Sequence, residues 1–449
     1  MRVQRVLIAN RGEIAVRIIR TCNELGIETI LAASEADVES VPARLADRTV
    51  CIGPPQPARS YLDVEAVVGA AVSVRADALH PGYGFLAENS RLARRCAEAG
   101  VTFIGPTPEQ LDALGDKLRA RQHALDAGLP ILPGQAVASL AEAQDLAHRI
   151  GWPILIKSVG GGGGRGLKPA RDATQLSALL DLAMAEAHAA FGDARVYLER
   201  LVESGRHVEV QILGDGVEVI HLGDRDCSVQ RRYQKLIEEA PAPDLPAQVR
   251  AAMHAAAVRL GRHLRYRGLG TVEFLFDRVR QEFYFLEMNA RIQVEHPVTE
   301  AITGLDLVAQ QIAVAQGQRL ALTQEEVEFR GHALECRITA EDWRRDFAPS
   351  PGRITSAVFP AGEHVRVDTH IEHGSTVPPF YDSLLAKIVV HGRDRPQSVE
   401  RMRQALANCH IAGVATNVEL HAQLLEDPEF FSSAPDTATL GRWLARRPA

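Results

Sequence analysis

Residues 1 to about 115 alternate short apolar runs with helical patterns, and this alternation limits the fold more than any other feature. "VLIAN" leads into "GEIAVRIIRTCNELG", then "ETILAAS"; later come "ADALHPG" and "TFIGP". Strand–helix–strand order predicts a mostly parallel sheet with helices on both faces. The first strand–helix turn reads N-R-G-E-I-A rather than G-x-G-x-x-G, so a dinucleotide role has little support. At 449 residues the chain exceeds one simple core, and several units are expected.

The texture changes near residue 130. "SLAEAQDLAHRIG" has Ser139 and Glu142 at capping-box spacing and ends at Gly151. "WPILIKS" reads as a strand, followed by "VGGGGGRG", a second strand "LKPA" and a helix from about Asp172 to Gly192. Strand, glycine loop, strand and helix predict a small α+β lid. Strands then dominate: "HVEVQILG", "VEVIHLG", "TVEFLF" and "EFYFLEMN". "EEAPAPDLPAQ" reads as a proline-rich connection into a helix, and further strands follow residue 330.

Composition removes several function classes. The net charge of −7 implies no general attraction to nucleic acid or membrane, so an anionic ligand needs a local basic site. No run approaches the apolar length of a membrane span. The start, "MRVQRVLIAN", lacks the apolar stretch of a signal peptide. The six cysteines, at 22, 51, 96, 227, 336 and 409, form no C-x-x-C pair. A reducing, cytoplasmic setting is therefore expected, without a disulfide framework or structural zinc. Lysine occurs five times, at Lys117, Lys157, Lys168, Lys235 and Lys387, against 45 arginines. A lysine in such a chain marks a position that calls for a compact ammonium, or survives by chance.

Three stretches carry chemistry. An ordered glycine costs roughly 0.5–1 kcal/mol relative to alanine, so the run Gly160–Gly164 calls for a reason. A linker usually sits between domains, whereas this run sits between strands. Bare backbone N–H groups there suit phosphates, with Lys157 on the preceding strand able to reach the same anion. Glu273 and Glu287 flank "DRVRQE", a hairpin turn that sets them opposite one another, with Asn289 on the same face as Glu287. Like charges across a strand pair are unfavourable. Two carboxylates and an amide oxygen suit Mg²⁺. Last, in "EMNARIQVEHP" the residues Arg291, Gln293 and Glu295 alternate with Ile292 and Val294. Read as extended chain, with Pro297 keeping His296 extended, the polar three share one face. They form either a solvated edge or a site that binds a small anion and removes its proton. "HPGYGFLAEN" sets Tyr83 between two glycines, with its ring accessible, and "SVQRRYQK" clusters Arg231, Arg232 and Lys235 as a site or a solvated basic face.

Together "IANRGEIA", "HPGYGFLAEN", "GGGGGRG", "RDCSVQRR", "EMNARIQVEHPVTE" and "ECRITAED" resemble the biotin carboxylases of the ATP-grasp superfamily, over nearly the whole chain. The resemblance implies an α/β and α+β chain with an ATP-grasp fold: a Rossmann-like parallel-sheet domain, a mobile glycine-rich lid and a mixed C-terminal domain. The expected segments are 1–115 (pre-ATP-grasp), 116–203 (with the lid), 204–330 (catalytic half) and 331–449 (C-terminal).

By the same resemblance, Lys117, Lys157, Gly163 and Gly164 hold the ATP phosphates. Glu199, Arg200 and Val202 meet adenine, and His207, Gln230 and Tyr233 lie by the nucleotide. Glu273, Glu287 and Asn289 hold Mg²⁺ or Mn²⁺, with two ions expected. Lys235, Arg291, Gln293 and Val294 bind bicarbonate, with Glu295 as base. Tyr83 and Arg337 meet biotin. Bicarbonate attacks the γ-phosphate of ATP, carboxyphosphate breaks down to CO₂ and phosphate, phosphate takes the ureido proton, and Arg337 stabilises the enolate that captures CO₂.

Two positions depart from the family pattern. Leu167 stands where methionine is common, a mild change. Tyr233 stands where histidine is usual, and tyrosine cannot become cationic near neutral pH. No lysine has methionine beside it, so biotin is expected on a separate carrier protein, not on this chain. Carboxyltransferase subunits and a homodimer are the other expected partners. Acetyl-CoA carboxylase is the expected assembly, with propionyl- and methylcrotonyl-type carboxylases as alternatives. Competing readings are another ATP-grasp ligase, of carboxylate–amine or carbamoyl-phosphate type, and a non-catalytic ATP-binding subunit.

Overall fold

The computed structural model describes residues 2–158, 168–191, 195–203 and 205–447. The glycine run, with Gly163 and Gly164, lies outside the described residues.

Five strands open the chain: β1 (Arg5–Ile8), β2 (Glu28–Ala33), β3 (Arg48–Cys51), β4 (Ala78–His80) and β5 (Thr102–Phe103). They form the expected parallel sheet, in the order β3-β2-β1-β4-β5. Helix Gly12–Glu24 buries Ile14, Ile18 and Cys22, one stripe at a spacing of four, against this sheet. Strand order reverses between β1 and β4, and ligands of open parallel sheets sit beyond the strand ends at such a switch. Glu13 follows β1 and Tyr83 follows β4. Asn10 ties the two loops, its amide donating to the carbonyls of Pro81 and Tyr83 at 2.7 Å each.

A second, antiparallel sheet is built from β6 (Gly134–Val137), β7 (Ile154–Ser158), β8 (Lys168–Ala170) and β9 (Val196–Arg200), in the order β6-β9-β7-β8. Helices Leu140–Ile150 and Ala173–Phe191 cover it through Leu146, Leu176 and Leu180. Ser139 caps the first of these helices, accepting from the Glu142 N–H, and Gly151 ends it.

The third sheet has eight antiparallel strands. It contains β10 (Gly205–Asp215), β11 (Val219–Arg231), β12 (Gln234–Ala240), β13 (Arg267–Asp277), β14 (Glu282–Asn289) and β15 (His332–Thr339). Its order is β14-β13-β10-β11-β12-β15, followed by strands Leu384–Gly392 and Val365–Thr369. Strands from both sides of residue 330 therefore share one sheet. Helix Ala247–His263 packs on it through Met253, Ala257 and Leu260.

Two local readings need correction. Glu238 and Glu239 belong to β12, not to the proline-rich connection; both are buried because cations neutralise them. The stretch Ala290–Glu295 is not an extended edge: β14 ends at Asn289, and a six-residue loop leads into helix His296–Thr303. Proline fits this first turn, where its missing N–H has no partner to lose.

Candidate active site

The sheet register brings the carboxylates together. Glu209 on β10 stands opposite Glu273 on β13, and Glu273 stands opposite Glu287 on β14. Three glutamates thus form one row across three strands, which is unfavourable without cations. At one end Arg225 Nε lies 2.6 Å from Glu209 Oε1. Lys235, from β12 two strands beyond β10, sets its ammonium 2.6 Å from Glu209, 3.1 Å from Glu273 and 2.6 Å from Glu295. Burial disfavours the charge of Lys235, yet three carboxylates hold its pKa well above the usual lysine value. At the other end Glu287 opens onto a cavity and has no hydrogen bond or ion pair among the described residues. Burial and the charge of Glu273 push its carboxyl upward.

That cavity, of about 1350 Å³, lies between the three sheets. It is larger than the pocket of a typical single small ligand. Of the expected site residues, Tyr83, Lys117, Lys157, Glu199, Arg200, Val202, His207, Gln230, Tyr233, Lys235, Glu273, Glu287, Asn289, Arg291, Gln293, Val294 and Arg337 all line it. Glu295 does not: it is 0% exposed, beneath two cations.

On one flank Lys157 pairs with Glu199 from the neighbouring strand, and Arg200 donates to the Tyr284 hydroxyl. Lys117 opens helix Lys117–Asp126 on the same cavity. Arg232 and Tyr233 form the two-residue turn between β11 and β12, at φ +48° and +68°. Such turns favour Asn-Gly, so a bulky tyrosine here is strained by roughly 1–3 kcal/mol. Arg231 and Arg232 both pair with Asp346.

Glu273 is saturated. Its Oε1 accepts from Lys235, from the Asn289 amide at 2.8 Å and from the Gln293 amide at 3.0 Å, and its Oε2 lies 2.9 Å from His207 Nε2. Burial alone would raise the Glu273 pKa, but Lys235 and His207 hold it far below the carboxylate range. The Asn289 oxygen accepts from Arg291 at 3.0 Å. Arg291 also donates to Glu88 at 2.9 Å and to the Gln293 side-chain oxygen at 3.2 Å. The unpartnered Glu287, beside a second carboxylate and an amide, is the chemistry a hard divalent cation requires.

Glu295 ends the polar run. Its Oε1 accepts from Lys235 at 2.6 Å and its Oε2 from Arg337 at 2.7 Å. Burial opposes ionisation, but these cations hold its pKa well below the usual value. The carboxylate is ionised and, in this arrangement, weakly basic. Arg337 also donates to Glu238 at 2.5 Å. Burial raises the pKa of Glu238 to about 7. Glu335, opposite Glu238 in the ladder, is 0% exposed with both oxygens unpartnered, and burial pushes its pKa far up.

Sequence reasoning missed Glu13, Glu88, Glu209, Arg225, Glu238 and Lys387. Glu209 had a signal: in "HVEVQILG" the polar His207, Glu209 and Gln211 share one face of a strand whose other face is Val208, Val210 and Ile212. Tyr83 is less open than expected, because its hydroxyl donates to buried Glu13.

Sequence comparisons match this arrangement. Residues 2–111 match the biotin carboxylase N-terminal domain, 116–323 the ATP-binding domain of the carbamoyl-phosphate synthase L chain, and 335–442 the biotin carboxylase C-terminal domain. A biotin carboxylase from Nostoc sp. is 49% identical over 441 residues, 98% of each chain. The chain belongs to the biotin carboxylase family. It is an ATP-grasp ligase that carboxylates biotin at the expense of ATP. The crystal structure of a Campylobacter jejuni biotin carboxylase–β,γ-ATP complex superposes with TM-score 0.93 at 43% identity, covering 98% of this chain and 99% of that one. The biotin carboxylase domain dimer of Hydrogenobacter thermophilus 2-oxoglutarate carboxylase, solved with MgADP, ADP and bicarbonate, gives 0.92 at 42% identity, over 98% of each chain.

Proposed function

We propose that this chain catalyses the first half-reaction of acetyl-CoA carboxylase in the cytoplasm, carboxylating biotin borne on a separate carrier protein. Carboxyltransferase subunits then pass the carboxyl group to the acyl-CoA. Lys117, Lys157, Gly163 and Gly164 hold the ATP phosphates, and Glu199, Arg200 and Val202 meet adenine. His207, Gln230 and Tyr233 flank the ribose and phosphates. Mg²⁺ held by Glu273, Glu287 and Asn289 neutralises charge on the transferring phosphoryl group; Mn²⁺ fits the same oxygen donors.

Lys235, Arg291, Gln293 and Val294 hold bicarbonate. Its arrival competes for Lys235 and Arg337 and so restores basicity to Glu295, which takes the bicarbonate proton. The resulting anion attacks the γ-phosphate, giving ADP and carboxyphosphate, which splits to CO₂ and phosphate. Phosphate accepts the ureido proton of biotin. Arg337 holds the enolate oxygen while N1 attacks CO₂, and Tyr83 borders the biotin end. The observation that carries this reading is buried Glu295, ionised behind two cations, Lys235 and Arg337, that line a cavity wide enough for both substrates.

The 2-oxoglutarate carboxylase relative supports a second reading, in which the acceptor is a 2-oxo acid. A homodimer is part of either proposal. The test supplies biotinylated carrier and carboxyltransferase with labelled bicarbonate, and compares acetyl-CoA, propionyl-CoA, methylcrotonyl-CoA and 2-oxoglutarate as acceptors. Acetyl-CoA alone should take the label efficiently; label in 2-oxoglutarate overturns the acyl-CoA assignment. Biotin ligase with ATP should label the carrier and leave this chain unlabelled.

A further inference from the structure

Of the five lysines, Lys387 has no place in the roles assigned above. It is 0% exposed. A buried ammonium is costly unless matched by acceptors, and those acceptors come from three separate parts of the chain. Its Nζ donates to the Val294 carbonyl at 2.9 Å and lies 3.0 Å from Glu13 Oε1 and 3.8 Å from Asp368. Val294 immediately precedes Glu295. Glu13 accepts from the Tyr83 hydroxyl.

Lys387 also stands directly opposite Arg337 in the ladder, with Asp368 opposite it on its other side. Two like charges side by side are unfavourable, unless each has its own anions. Arg337 has Glu238 and Glu295; Lys387 has Glu13 and Asp368. The neighbouring cations therefore pin consecutive residues, Arg337 the Glu295 side chain and Lys387 the Val294 backbone. Lys387 extends the network to Tyr83 through Glu13.

We propose that Lys387 is a positioning residue that couples the bicarbonate end of the site to the biotin end, fixing Val294 directly and Tyr83 through Glu13. The inference rests on the proposed assignment of Val294 to bicarbonate and Tyr83 to biotin. A point ammonium can serve three convergent oxygens, whereas a planar guanidinium cannot do so in the same space. This gives a reason for lysine at 387 in a chain that otherwise favours arginine.

The test measures KM for ATP, bicarbonate and free biotin in wild type, Lys387→Met and Glu13→Gln, with the melting temperature of each. In Lys387→Met both bicarbonate and biotin KM should rise about ten-fold or more while ATP KM stays within about two-fold, since misplacement of positioning groups is costly. Glu13→Gln keeps the lysine on Val294, so biotin KM should rise and bicarbonate KM should hold. Unchanged KM values in a folded Lys387→Met, or all three rising together, overturn the inference. Should Lys387→Met not fold, Glu13→Gln decides: a selective biotin effect supports the coupling, and an unchanged biotin KM overturns it. Wild type without bicarbonate-dependent, biotin-stimulated ATP cleavage overturns the assignment of the site, and this inference with it.

Discussion

Arg337, at the cavity wall, grips one oxygen of the buried Glu295 carboxylate at 2.7 Å. Each keeps the other charged: Glu238 and Glu295 outweigh the burial that disfavours charge on Arg337, and Arg337 with Lys235 does the same for Glu295. Removing one partner from such a pair leaves an uncompensated charge. Arg337→Met should lower biotin-stimulated turnover by about 10²–10³-fold, the scale of losing one electrostatic stabiliser. ATP KM should change little. Steady-state kinetics with each substrate varied in turn checks this.

Glu238 should give the site a pH response near neutrality. Its pKa is raised to about 7 from the usual 4.5, chiefly by burial. Above that pH it is an anion that anchors Arg337; below it, a neutral hydrogen-bonding partner. Biotin-dependent kcat/KM should therefore rise with pH through about 7, and Glu238→Gln should flatten that limb. The stability effect has the opposite sense. Between about pH 4.5 and 7 the native carboxyl holds a proton that the unfolded one has lost, so its contribution falls as pH rises through this window. Thermal melts of wild type and Glu238→Gln across it should show the difference.

Glu287 separates metal binding from folding. It opposes Glu273 in the ladder and lacks a described partner. Glu287→Gln should raise the Mg²⁺ concentration for half-maximal activity about ten-fold or more. Without metal the same variant should be as stable as wild type or better by about 0.2–1 kcal/mol, because a like-charge pair is gone. Mg²⁺ titration of activity and metal-free melting test the two halves.

A structural pair on the other face of β12 from Glu238 offers a contrasting control. Arg395 forks onto Glu239 at 2.6 and 3.0 Å. Although burial opposes it, His332 and Arg395 lower the Glu239 pKa to about 2. That depression is worth about 3 kcal/mol at neutral pH, present above about pH 4.5 and lost as pH falls toward 2. Arg395→Met should lower stability by that order at pH 7, with ATP and bicarbonate KM near wild type. Denaturant melts at pH 7 and pH 4 are the measurement.

How much of this was legible in the sequence depends on the range of the interaction. The parallel sheet, the Ser139 cap and the Glu273–Glu287 pairing follow from local periodicity and one hairpin turn, and all three appear in the structure. The loop at Arg291–Glu295 did not: alternation suggested extended chain, but Pro297 starts a helix instead of prolonging a strand. Glu238 and Lys387 were invisible as site neighbours because their partners lie 19 to 374 residues away in sequence. Which strands flank one another is set by sheet order, which short-range pattern does not encode. The excess of arginine over lysine was the one long-range clue, and Lys235 and Lys387 both lie at the centre of buried carboxylate networks.

The proposed function requires the Glu295–Arg337 pair to carry bicarbonate activation and biotin carboxylation in one cavity. Its most direct test is ATP hydrolysis by the purified chain with Mg²⁺ and bicarbonate, with and without free biotin, in wild type, Glu295→Gln and Arg337→Met. Wild type should show bicarbonate-dependent turnover that biotin stimulates, Glu295→Gln should lose the bicarbonate dependence, and Arg337→Met should lose the biotin stimulation. Biotin stimulation that persists undiminished in both variants would contradict the proposed function.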